Sequence, residues 1–186
     1  SDKSLITTIE NSQEDLMNKY GYETSKLGFS FGTSFEQYQD IFFTPSISTY
    51  YETLDTSSLA SAAKKKQEGN YFDSNFEYSL SLNKLNQNFQ PTDGYRSTFR
   101  QSLPIIADDK TITNTYEYSK YKKLGNDTVL SFLVLMKAAN SIDDDVRVSK
   151  RVFIPSRKLR GFVSGKIGPK DGDDYIGGNY GSAVNI

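Results

Sequence analysis

The amino-acid sequence predicts an all-β fold, an antiparallel transmembrane β-barrel represented here by a partial barrel of about seven or eight strands. Three observations predict it. Apolar and polar residues alternate with a period of two, and over residues 71–85 the alternation outlasts the roughly 5–6 residues of a soluble strand. Only 36% of the chain is hydrophobic while 13% is aromatic, and Ser, Thr, Asn and Tyr abound, a composition suited to sheets with one wet and one dry face. Short turns and long polar connections alternate between the strands, as they do at the two ends of a membrane barrel.

Taken in chain order, the first segment is Leu27, Phe29 and Phe31 alternating with Gly28, Ser30 and Gly32. Ile41, Phe43, Pro45, Ile47 and Tyr51 then oppose Thr44, Ser46 and Ser48, with Phe42 and Tyr50 as exceptions. A polar connection over 54–69 carries the run Lys64, Lys65, Lys66, read as a solvated loop. The clearest strand follows: Phe72, Ser74, Phe76, Tyr78, Leu80 and Leu82 on one face, Asp73, Asn75, Glu77, Ser79, Ser81 and Asn83 on the other. Pro91, Thr92, Asp93 and Gly94 supply a turn. Beyond it, Tyr95, Phe99, Leu103 and Ile105 oppose Arg96, Thr98, Arg100 and Ser102; next, Ile112, Tyr116 and Tyr118 oppose Thr113, Thr115, Glu117 and Ser119. A turn at Gly125, Asn126 and Asp127 leads to 128–139, apolar on both faces except for Ser131 and Lys137. Residues 141–179 form a long loop, and a further strand begins near Tyr180.

The chain has neither Cys nor His, which excludes disulfides, thiolate nucleophiles and the commonest general base and metal ligand. No cofactor, metal or catalytic residue is expected. The acidic runs at 143–145 and 171–174 miss the spacing of a calcium loop and read as solvated. A net charge of −1 gives no field for nucleic acid. Residues 1–6 show no charged region followed by an apolar run, so no leader is read there. The longest apolar stretch, 129–136, is too short to span a bilayer as a helix, leaving strands as the only route across a membrane.

Within the long loop run Leu159, Arg160, Gly161 and Phe162, then Gly168 and Pro169, then Asp171, Gly172 and Asp173, then Gly177, Gly178 and Asn179. This succession resembles the sixth extracellular loop of the BamA family of outer-membrane assembly factors, with Leu159 where the family usually has Val. The turn Pro91–Thr92–Asp93–Gly94, preceded by Asn83, Lys84 and Leu85, is similar to a turn several strands earlier in the same family.

The resemblance implies a loop that folds back into the barrel, with Arg160 packed against acidic groups of the inner wall. Asp73, Glu77 and Glu117 lie on the expected inner face, and the glycines 161, 165, 168, 177 and 178 are expected to allow positive φ and close approach to the wall. It further implies that residues 1–186 are part of a C-terminal barrel domain in the bacterial outer membrane, with 91–94 on the periplasmic side and the periplasmic substrate-gathering domains absent. Nascent β-barrel proteins, outer-membrane lipid and accessory lipoproteins bound through the missing regions are the implied partners. Two-partner secretion and translocation-assembly relatives share the Arg-Gly-Phe loop and stand as alternatives. A soluble β-barrel or β-sandwich binding module is a third, and it would require the apolar face to point inward.

Overall fold

The structure, a computed structural model, describes residues 3–143, 145–159, 161–163 and 165–186, with the backbone alone at 19 and 20. Long alternating segments become β1 (Ser4–Leu16), β2 (Tyr22–Tyr38), β3 (Ile41–Thr56), β4 (Gly69–Asn83), β5 (Gly94–Ala107), β6 (Thr111–Lys123) and β7 (Val129–Ser141). A small hairpin of β8 (Lys170–Asp171) and β9 (Asp174–Tyr175) precedes β10 (Tyr180–Asn185). Strands β1 to β7 and β10 form one eight-stranded antiparallel sheet in simple meander order, β10 lying beside β7. Among the described residues, β1 and β10 have no partner on their outer sides. From β1 to β7 the strands run 13 to 17 residues, beyond the roughly 9–11 needed to cross a bilayer at a tilt.

Side chains directly opposite each other in an antiparallel ladder share a face, so the register fixes the two surfaces. Phe31, Ile47, Phe76 and Leu103 form one row across four strands, and Phe43, Leu80, Phe99 and Tyr116 form another. This outer face is bare: Phe31 is 52% exposed, Ile47 52% and Met136 53%. The opposite, inner face carries Ser48, Asp73, Asn75 and Thr98, all buried although polar. The arrangement is inside-out relative to a water-soluble sandwich, which removes the soluble binding module.

Aromatic rings line the outer face towards the rim formed by the β2–β3 turn and the β4–β5 connection. Phe35, Phe43, Tyr78 and Phe99 follow one another at centroid distances of 5.8, 6.1 and 6.2 Å, and Tyr95, Tyr118 and Phe132 continue at 6.3 and 6.4 Å. Clustered towards one rim on the outer face, these rings suit the girdle of a bilayer interface.

Several expectations shift. Strand β1 escapes the alternation reading because its outer positions include Thr7, Asn11 and Gln13, leaving Leu5 and Ile9 as the apolar ones. Strand β4 starts two residues before 71, where Gly69 and Asn70 pair with Leu54 and Thr53, and stops two before 85, where Asn83 Oδ1 accepts from the Leu85 amide at 3.2 Å and turns the chain out of the sheet. The long and short connections also segregate less cleanly than expected: the β5–β6 turn, on the long-loop rim, spans only 108–110, and the β4–β5 connection on the other rim spans 84–93.

Candidate functional site: the long connection on the inner face

Residues 142–179 leave β7 and return to β10 across the inner face. Their first anchor is a turn of 3₁₀-helix at Val148–Lys150. With three residues per turn, Arg147 and Lys150 project from the same side. Both meet Asp73 of β4: Arg147 Nη2 donates to Oδ2 at 2.5 Å, and Lys150 Nζ lies 3.0 Å from Oδ1. Arg147 Nη2 also lies 3.2 Å from Glu52 Oε2 of β3, and its Nε lies 3.9 Å from Asp109 of the β5–β6 turn. Lys150 completes the group by donating to the Asp109 carbonyl at 2.7 Å.

The guanidinium is 4% exposed, with its carbon 4.1 Å from the centre of the Tyr71 ring. Ser149 Oγ accepts from Arg147 Nε at 3.0 Å and donates to Glu52 at 3.2 Å. The Val148 amide donates to Gln67 Oε1 at 2.7 Å. Flanking Val146 and Val148, 1% and 4% exposed, seal the contact. A charge at this depth persists only when opposite charges and hydrogen bonds replace lost water. Here Asp73 and Glu52 face Nη2 and Ser149 accepts from Nε, while Nη1 makes no hydrogen bond among the described residues.

A second anchor lies further along the loop. Lys158 Nζ donates to Glu117 Oε2 of β6 at 2.6 Å, while Arg100 of β5 takes the other oxygen at 2.8 Å. The Lys158 carbonyl accepts from Asn185 of β10 at 2.6 Å. Between these anchors, Val152 and Ile154 rest on Gly181 of β10, where a Cβ would lie 2.8 Å from Val152 Cγ1.

The third contact involves the other long connection, 57–68, which contains the short helix α2 (Ala62–Lys66). Asp171 Oδ2 accepts from the Ala63 amide at 2.7 Å, and Lys64 Nζ lies 4.0 Å from Asp174 and 3.2 Å from the centre of the Tyr22 ring. Lys64 is thus buried, which corrects the reading of 64–66 as a wholly solvated run. Burial lowers the Lys64 ammonium below its usual range and raises the Asp174 carboxyl, each partly opposed by the other's charge.

The residues singled out by motif distribute across these contacts. Gly172 and Asp173 make the β8–β9 turn, and the Pro169 carbonyl accepts from the Ile176 amide at 3.1 Å. Gly178 forms a bridge with Val152, and the Asn179 carbonyl accepts from the Ala139 amide at 2.8 Å. Leu159 is half-buried, Gly161 is exposed and Phe162 is 57% exposed; Arg160 lies outside the described residues. Positive φ is found at Gly161, Gly165, Gly168 and Gly177, but not at Gly178. Among the described residues, a Cβ on Gly161, Gly165 or Gly168 would meet open space, and one on Gly177 would meet the loop's own Phe153 ring. At the opposite rim, Asn86 organises the Pro91–Gly94 turn, its Oδ1 accepting from the Thr92 and Asp93 amides at 3.2 and 3.1 Å.

Of the three inner-face carboxylates expected to await a loop cation, Asp73 and Glu117 meet one, and Glu77 instead accepts from Ser48 at 2.5 Å. Arg147, Lys150 and Lys158 were not legible as their partners. Their residue types carry no sequence signal that pairs them with these carboxylates.

A cavity of about 490 Å³ remains beside the first anchor, lined by Lys26, Tyr50, Glu77, Arg100 and Thr115 among others. Its mixed charges suit a hydrated space rather than an apolar ligand.

The family model described as Omp85 superfamily domain matches residues 2–183. The outer membrane protein assembly factor BamA of Neorickettsia risticii (strain Illinois) is 28% identical over 138 residues, which is 71% of this chain and 18% of that protein. BamA from Haemophilus ducreyi lacking POTRA domains 1–3 shares the fold with a TM-score of 0.83 at 20% identity, over 97% of this chain and 40% of that one. The chain therefore spans less than half the length of either.

Proposed function

The chain belongs to the Omp85 superfamily, and from that premise we propose that it is part of the C-terminal barrel of an assembly factor that folds and inserts other outer-membrane β-barrel proteins. It is an outer-membrane protein, and not an enzyme, since the superfamily it belongs to is one of non-enzymatic outer-membrane barrels. The observation that carries the finer reading is the 28% identity to an outer membrane protein assembly factor over most of the chain. The physics of the fold agrees. Insertion needs no bond chemistry, only a barrel whose strand edges can be offered to a client and a lumen kept filled meanwhile.

On this reading the rim holding Pro91–Gly94 faces the periplasm, and 57–68 and 142–179 face outward. The Leu159 to Asn179 motif then belongs to the loop that fills the lumen. Nascent β-barrel proteins are the clients, and accessory lipoproteins dock on domains outside this chain.

The test is reconstitution of the complete protein into liposomes with an unfolded outer-membrane β-barrel protein. Faster acquisition of a heat-modifiable, protease-resistant client supports the assembly reading. Release of a soluble partner across the membrane without any gain in client folding would replace it with two-partner secretion.

A further inference from the structure

We propose that Arg147 is the residue that positions the long loop on this part of the barrel wall, through an ionic lock that ties the loop to three separate wall elements at once. The inference rests on the wall geometry and stands whichever clients the barrel serves.

The carboxylates come from β3 (Glu52), β4 (Asp73) and the β5–β6 turn (Asp109), so a single guanidinium spans four strands at one rim. Arg147 reaches Glu52 and Asp73 through Nη2 and faces Ser149 and Asp109 through Nε, while its planar face stacks on the Tyr71 ring. Lysine cannot reproduce this. Lys150 neutralises the oxygens left without a hydrogen bond, Asp73 Oδ1 and Asp109 Oδ2: its Nζ lies 3.0 Å from the first, off the hydrogen-bonding angle, and 3.7 Å from the second, beyond hydrogen-bonding distance.

Three acidic groups face two loop cations, so the wall is built to hold this segment of loop and is poorly built to stand without it. Lifting the loop would leave Glu52, Asp73 and Asp109 repelling one another along the rim. Loop position and the spacing of β3 to β6 at that rim are therefore coupled.

The test uses the complete protein in liposomes, freed of any cysteine, with Val146→Cys as the sole thiol; this chain contributes none of its own. Val146 is 1% exposed beside the lock, so a maleimide should label the thiol slowly. Arg147→Ala should raise the labelling rate by roughly tenfold or more, since one partner's loss strands buried charge. Arg147→Lys should restore protection only in part. Heat-modifiable migration reports in parallel whether the barrel itself is folded. A folded Arg147→Ala barrel that labels as slowly as its parent overturns the proposal. Should Arg147→Ala fail to give a heat-modifiable barrel, Asp73→Asn, which keeps the wall's shape, takes its place. Faster labelling then supports the lock, and unchanged labelling overturns it.

Discussion

At the scale of single residues, the inner face is governed by what must fit beneath long side chains. Gly28 and Gly32 sit on that face opposite Tyr50 and Ser46, and a Cβ on Gly28 would lie 2.3 Å from the Tyr50 ring. The ring fills the space the glycine leaves and carries the Lys26 ammonium 3.9 Å from its centre. Gly28→Val should cost about 1–3 kcal/mol by overpacking, read from the urea midpoint of the folded barrel, with Tyr50→Ala recovering part of the loss in the double variant. Gly94 is constrained twice: φ is 92°, and a Cβ would lie 2.0 Å from the Lys84 carbonyl oxygen. Gly94→Ala should therefore destabilise by about 1–3 kcal/mol, whereas Asp93→Ala, which loses only its side-chain bond to the Gly94 amide, should be milder.

At the scale of elements, strand prolines and the loop clasp show how sequence exceptions find tolerated places. Pro104 pairs with Asn75 beside a register shift in the β4–β5 ladder, beyond Ser102, where the β5–β6 pairing ends. Pro45 faces Tyr78 of β4 and falls in the gap between Ser46 and Phe43 in the β2–β3 ladder. A residue without an amide hydrogen is accepted where a ladder is interrupted. The clasp between α2 and the β8–β9 hairpin has a calculable pH response. Below its ordinary value of 3.8, Asp174 is protonated whether folded or not. As pH rises through its raised folded value, the folded state must bury the charge, and stability falls. Lys64 acts in reverse: its burial cost is present at neutral pH and disappears as pH rises through its lowered value towards 10.5. Hydrogen exchange of the hairpin amides, compared with Asp174→Asn, should show the native clasp losing its relative advantage just above pH 3.8 and then levelling. A difference constant across that range would contradict the assignment.

At the scale of the whole molecule, the eight-stranded sheet ends in two strands unpaired on their outer sides among the described residues. Lipid offers no hydrogen bonds, so such edges must meet further strands or each other. The 186-residue chain on its own should therefore give no heat-modifiable, urea-resistant species in detergent micelles or lipid, while the complete protein should. Heat-modifiable migration of the isolated chain would mean that its edges close on themselves.

The alternation of apolar and polar residues by itself determined that the chain makes long strands with one apolar and one polar face and that Asp73 and Glu117 lie on polar faces, because a period of two is a local property of an extended chain. That the apolar faces turn outward was decided by the tertiary structure, where Phe31, Ile47 and Met136 stand bare. The loop residues named by motif were legible as a group, but their separate contacts were not. Only the tertiary structure decided that Asp73 would meet Arg147 and Lys150, that Glu117 would meet Lys158, and that Lys64 would turn inward to Asp174. Those pairings join residues tens of positions apart, and nothing in the residue types singles out one cation from another. They follow from where a returning loop lands on a sheet, which the ladder register and the 3₁₀ turn at Val148–Lys150 set together.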